Sequence, residues 1–162
     1  MCGLVGVAGD VTLLEKNIFN EMLFCDVLRG SHGTGIALIK NDKNSTFFLH
    51  KDAVPSTSFM GTKEYKDVIN ETNSKCIIGH NRYATIGAKT AENSHPFEFK
   101  NLVGAHNGTI DNWSLKHLEG SELFGTDSEA LLDSIHKYGL KESIVKFLVL
   151  GHFLISTVKT TL

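Results

Sequence analysis

The sequence predicts a single α+β domain, and three observations carry that prediction. Short apolar runs of strand length recur at residues 4–8, 36–39, 76–78 and 102–105, each bounded by glycine or polar residues. Between them stand stretches with apolar residues at helical spacing, clearest over residues 12–28 and 130–135. No repeat and no interdomain linker interrupts the 162 residues, a length that buries a substantial core in one unit.

Composition narrows the function classes. With 41% hydrophobic and 21% charged residues the chain reads as soluble and globular. A net charge of −2 gives no electrostatic footprint for nucleic acid or an anionic membrane, so neither is an expected partner. No apolar run reaches spanning length, and no basic leader precedes one. Cys2, Cys25 and Cys76 are too few and too far apart for a disulfide framework or a zinc site, which fits a reducing, cytoplasmic compartment. No metal-ligand or cofactor pattern is visible, and none is expected.

Taken in order, residues 3–9 read as a buried strand. Residues 12–28 then form a helix with apolar positions 13, 14, 18, 19, 22, 23, 27 and 28, placing Phe19, Met22 and Leu23 in the core and Cys25 as a packed small hydrophobe. The glycines of Arg29-Gly30-Ser31-His32-Gly33-Thr34-Gly35 match no phosphate loop; a turn allowing close backbone approach is expected, with His32 as a structural donor. Residues 36–40 and 43–51 read as a hairpin turning at residues 41–44. A helix is expected over 62–71, then a strand from Cys76 whose end turns polar at His80-Asn81-Arg82-Tyr83. Residues 87–99 form a polar loop in which Pro96 fixes the return and Phe97 plugs onto the core, positioned to act as a lid. Residues 102–110 give another strand, where Asn107-Gly108 is a strong hairpin signal. Thr126-Asp127-Ser128-Glu129 has capping-box spacing and opens a helix. A helix over 140–148 and a strand over 151–155 complete the reading.

Several of these residues also carry chemistry. Once Met1 is removed, Cys2 holds a thiol and a free α-amine on one carbon. Such groups titrate near ~8.5 and ~7.7–8, so the amine can take the thiol's proton without a histidine. Of 16 basic residues only Arg29 and Arg82 are arginine, which suggests sites that need a planar bidentate fork. Arg82 and Thr85 follow buried apolar residues, at a strand end suited to ligand contacts. The Asn107 amide and the adjacent Gly108 N–H are two donors that would form an oxyanion hole if a reacting carbonyl lay before them. Asp127 falls in the first helical turn, where an anion is favoured; helix capping explains it equally well at this point.

In register, these segments resemble the glutaminase domain of class II glutamine amidotransferases, within the N-terminal nucleophile hydrolase superfamily. The matching segments are Met1-Cys2-Gly3, residues 29–35, residues 79–85, His95-Pro96-Phe97, His106-Asn107-Gly108 and residues 126–129. They cover residues 1 to about 155, and small stand-alone proteins encoded by bacteriophages are similar. The resemblance implies a four-layer αββα sandwich. It implies that Cys2 attacks the side-chain amide of L-glutamine, that Asn107 and Gly108 hold the oxyanion, and that Arg29 orders the pocket. It places Arg82 with Thr85 on the substrate α-carboxylate and Asp127 on its α-ammonium. A zwitterion with an amide tail needs one cation, one anion and a nucleophile, and Arg82, Asp127 and Cys2 supply them. His80, His95 and His106 are expected to be structural, donating to backbone or lining the site.

Two departures stand out. Ile86 occupies a position where some members carry a histidine. Related domains continue with further paired strands, whereas this sequence reaches Leu162, so the sandwich is expected to be short at its C-terminal edge, at some cost in stability. The domain carries no acceptor enzyme in these residues, so released ammonia would pass to a separate synthetase. Alternatives are a non-catalytic glutamine- or partner-binding module, and an amidohydrolase acting on another amide with the same nucleophile.

Overall fold

Four antiparallel strands, β1 (Gly3–Val11), β2 (Gly33–Lys40), β3 (Phe47–Asp52) and β4 (Ser74–Arg82), form the main sheet in the order β1-β4-β2-β3. The computed structural model describes residues 1–44, 46–100 and 102–143. The central strands β2 and β4 are apolar on both faces because both faces are covered. Ile36, Leu38 and Ile77 point toward a helical layer of α1 (Leu13–Cys25), α2 (Ser56–Phe59) and α3 (Lys63–Ile69), where they meet Phe19, Leu23, Phe59 and Tyr65. Each such fully buried side chain contributes about 1.5–3 kcal/mol. Gly79 permits this packing: a Cβ there would lie 2.7 Å from the Phe19 ring.

The alternate residues Ala37, Ile39, Cys76 and Ile78 pack on Val103 of a second sheet. That sheet is the hairpin β5 (Phe97–Phe99) and β6 (Leu102–Gly104), with Phe97 opposite Gly104. Its other face sets Phe97 and Leu102 against Ala130, Leu131, Leu132 and Ile135 of α5 (Asp127–Tyr138). A short α4 (Asn112–Lys116) lies between β6 and α5. Helices, sheet, sheet, helix is the layer order that the resemblance implied.

Local signals explain most boundaries. Thr12 opens α1, its N–H donating to Glu15 at 2.9 Å, and Thr62 Oγ1 caps α3 by accepting from Tyr65 N–H. Asp42 closes the β2–β3 turn by accepting from the N–H groups of Asn44 and Thr46. Thr126 Oγ1 caps α5 by accepting from Glu129 N–H at 3.2 Å.

Four expectations change. The first helix ends at Cys25 and tightens into a 3₁₀ turn over Asp26–Leu28. Met22 is 50% exposed and Cys25 is exposed: at 100° per residue, positions 14, 18, 22 and 25 form a stripe centred about 125° from Phe19 and Leu23, so the apolar positions occupy two faces. Asn107-Gly108 makes no hairpin, because β6 ends at Gly104 and the chain runs irregularly into α4. The four-residue helix α2 was not foreseen. The later helix is helical over residues 140–143; its remainder, the strand at 151–155 and the chain to Leu162 lie outside the described residues. Among the described residues no helix is long and apolar enough to cross a membrane.

Candidate active site

The register of β1 on β4 builds the site. Gly3 lies opposite Asn81, so Cys2 stands where Arg82 and Tyr83 leave the sheet. Tyr83 N–H donates to Cys2 Sγ at 3.2 Å, and the thiol reaches the Tyr83 carbonyl at 3.5 Å. The Cys2 carbonyl accepts from Arg29 Nε and from Asn107 Nδ2, both at 2.9 Å. Two loops distant in sequence thereby fix the backbone of one residue.

Glycines make these approaches possible. The Asp26 carboxylate occupies the place of a Cβ on Gly3, 1.6 Å from its ideal position. At Gly30 a Cβ would meet the Arg82 carbonyl carbon at 2.5 Å. This close backbone approach is what the glycines at 29–35 were expected to serve. His32 does not donate there; its Nδ1 accepts from Ala84 N–H at 3.0 Å, and its ring tilts onto Tyr83.

Cys2, Arg82, Thr85, Gly108 and Asp127 line one cleft of about 270 Å³, open mouth included. Arg82 is buried and its fork is held by two carbonyls, NH1 to Ala88 at 2.6 Å and NH2 to Ile86 at 2.7 Å. Five N–H groups leave donors for a ligand. Burial lowers its pKa, while Cys2 and Asp127 favour the cation. Asp127 is buried too: Oδ1 accepts from Ser128 N–H at 2.9 Å and Ser128 Oγ at 3.4 Å, and Oδ2 accepts from Ile110 N–H at 2.7 Å and keeps a lone pair. Thr85 Oγ1 lies 3.4 Å from Thr109 Oγ1. Arg29 and Asn107 both hold the Cys2 carbonyl and so border the cleft through Cys2.

His95 and His106 also line the cleft. His106 Nδ1 lies 3.0 Å from Ser128 Oγ, and its ring occupies the space a Cβ on Gly108 would need. His95 tilts on His80 with centroids 4.1 Å apart, and the backbone of His106 is the polar contact of His80. Burial keeps both neutral, pushing His80 down to about 3 and His95 well below the usual imidazole range. The 83–96 loop is tied down: besides Arg82, Lys51 Nζ donates to the carbonyls of Glu92 and Ser94 at 3.0 and 2.8 Å. Among the described residues no three His, Cys, Asp or Glu side chains are grouped to hold a metal.

Sequence comparison decides the lineage, since residues 1–149 match the family glutamine amidotransferases class-II. The chain belongs to the class-II glutamine amidotransferases. Curated relatives include the glutamine–fructose-6-phosphate aminotransferases (isomerizing) of Staphylococcus aureus, 30% identical over 146 residues, and of Helicobacter pylori, 31% over 136. The Streptococcus pyogenes protein is 33% identical over 144 residues. These alignments take in 81–85% of this chain but only 21–22% of the relatives, so the chain spans about a fifth of their length. Paired antiparallel sheets between helical layers agree with the N-terminal nucleophile hydrolase type of this family.

Proposed function

We propose that this domain hydrolyses the side-chain amide of glutamine to glutamate and ammonia, with Cys2 as nucleophile. One observation carries the reading: a thiol, a buried guanidinium and a buried carboxylate face the same cleft in a member of this family. Arg82 and Asp127 both line that cleft and supply the charge pair an α-amino acid requires, with Thr85 also in the lining. That arrangement favours an amino-acid substrate over an unrelated amide.

The chemistry requires a free α-amine. Met1 is 84% exposed, so an aminopeptidase can reach it without unfolding the domain. The Cys2 amine then takes the thiol proton, and sulfur attacks the amide carbon of glutamine. The C–O bond becomes an oxyanion, which the Gly108 N–H and the Asn107 amide receive. Asn107 carries two N–H bonds and spends one on the Cys2 carbonyl, leaving the other. Such a donor is worth about 10²–10³ in rate. Collapse breaks the C–N bond, the α-ammonium protonates the leaving amine, and ammonia departs. Water then hydrolyses the γ-glutamyl thioester, releasing glutamate and restoring the thiol.

The ammonia passes on to an acceptor. This part of the proposal rests on the relatives, whose names describe amino transfer and whose chains extend far beyond the matched region. The test is ammonia release from glutamine by intact protein of verified mass lacking Met1. Release at a measurable rate is expected, with background only from Cys2→Ala. Equal background from both proteins would remove the catalytic reading and leave a binding module.

A further inference from the structure

The outward half of α1 has no role in the cleft and is unusually apolar. Leu13, Leu14, Ile18, Met22 and Phe24, with Leu28 in the following turn, are each between 49% and 92% exposed. Leu14, Ile18 and Met22 stand at i, i+4 and i+8 and form a single ridge, continued by exposed Cys25. Leu13 and Phe24 flank it across Asn17 and Glu21. The opposite face already buries Phe19 and Leu23 in the core. Two apolar stripes separated by Glu15, Lys16, Asn17, Asn20 and Glu21 fit a helix with a contact on each stripe.

We propose that this ridge is a homodimer interface, in which α1 of one copy packs across α1 of a second about a twofold axis near Ile18 and Met22. Area argues for a second copy. At these exposures the six side chains present on the order of 600 Å² of apolar surface, the upper end of what monomers leave open. Each partner in a standard interface gives roughly 800 Å², so the ridge with its polar rim suffices. Fit argues the same way. A twofold contact needs a patch complementary to itself, and two i±4 ridges interdigitate in the commonest helix-packing class. Leu14, Ile18, Met22 and Cys25 themselves carry no charge; Glu21 lies beside them, between the ridge and Phe24, where it belongs to the polar rim.

Sedimentation of the full chain at micromolar concentration tests this, together with Ile18→Asp and Met22→Glu. The wild type is expected to be dimeric, and each variant to weaken the dimer by ~10²-fold or more, because a charge would be buried unpaired. Both variants should keep the wild-type circular dichroism and glutaminase rate, since neither residue touches the cleft. In a Cys2→Ala background, a short bis-maleimide should link Cys25 to Cys25 of the second copy, and Ile18→Asp should abolish the link. A monomeric wild type overturns the proposal, whether the face is covered by another protein or by residues 144–162. A dimer indifferent to both substitutions overturns it as well. A failure of glutamine hydrolysis would leave this result untouched, so the two proposals fail separately.

Discussion

The two ends of β4 are buried alike and built from opposite chemistry. Cys76, Ile77 and Ile78 are apolar and packed on both faces; His80, Asn81 and Arg82, a few residues on, are polar and no more exposed. The polar end is held by directed bonds. Asn81 donates to the Leu23 carbonyl at 2.8 Å and accepts from Thr34 Oγ1 at 3.1 Å, tying β4 to α1 and β2. Arg82 fastens the following loop. His80 is fully buried, with the backbone of His106 as its polar contact, and burial keeps the ring neutral. One strand thus runs from core to cleft, with its apolar end stabilising the domain and its polar end displaying a cation beside Cys2.

If the ends divide labour in this way, they separate under mutation. Ile77→Ala should remove about 3–4 kcal/mol of stability, since the side chain is fully buried between α1 and α3. Urea unfolding reads the loss, while kcat/KM per folded molecule stays within about threefold. Arg82→Lys should show the reverse. It keeps the charge and loses the fork, so kcat/KM for glutamine falls ~10²-fold, about 2.7 kcal/mol, mainly through KM. Its unfolding midpoint should move by no more than about 1 kcal/mol. Stability loss in Arg82→Lys matching that of Ile77→Ala would merge the two ends into one structural unit.

The same contrast marks what the sequence could disclose. Strands β2 and β4 were legible because burial on both faces leaves continuous apolar runs, whereas β1 reads as buried but lies at the sheet edge with only Gly3 and Val5 buried. Arg82 was legible because two arginines stand out among so many lysines and one of them follows such a run; Asp127 reads equally well as a helix cap, and only the resemblance gives it a ligand. The outer face of α1 was misread since spacing alone cannot say which of two apolar faces meets the sheet. Asn107-Gly108 carried a local turn signal, but its outcome depends on a carbonyl 105 residues away at Cys2. The hold of Tyr83 on the thiol uses only backbone, so no side chain announces it. The His80–His95 contact is likewise a product of the sheet packing, which residue types alone do not announce.

That histidine pair gives the smallest and most diagnostic test of the comparison. An imidazole ordinarily titrates near 6.5, whereas burial holds His80 down to about 3 in the folded domain, with His106 and Arg82 adding to the depression. Between those values the unfolded chain binds a proton that the folded chain refuses. Stability therefore falls as pH drops below 6.5, by about 1.4 kcal/mol per pH unit for His80, and flattens only near its folded value. Burial lowers His95 in the same direction, so it steepens the loss. Asp26 and Glu129 act oppositely, because burial raises their carboxyls and acid relieves that penalty. A single acid-denaturation curve mixes these signs; a difference between variants does not. His80→Phe removes the titrating ring, so its urea stability measured from pH 6.5 down to pH 5 should decline less steeply than the wild type, by about 1 kcal/mol per pH unit averaged over that range. Parallel slopes would mean that His80 is protonated when folded. The polar end of β4 would then hold no suppressed charge, and its contrast with the apolar end would be one of composition alone.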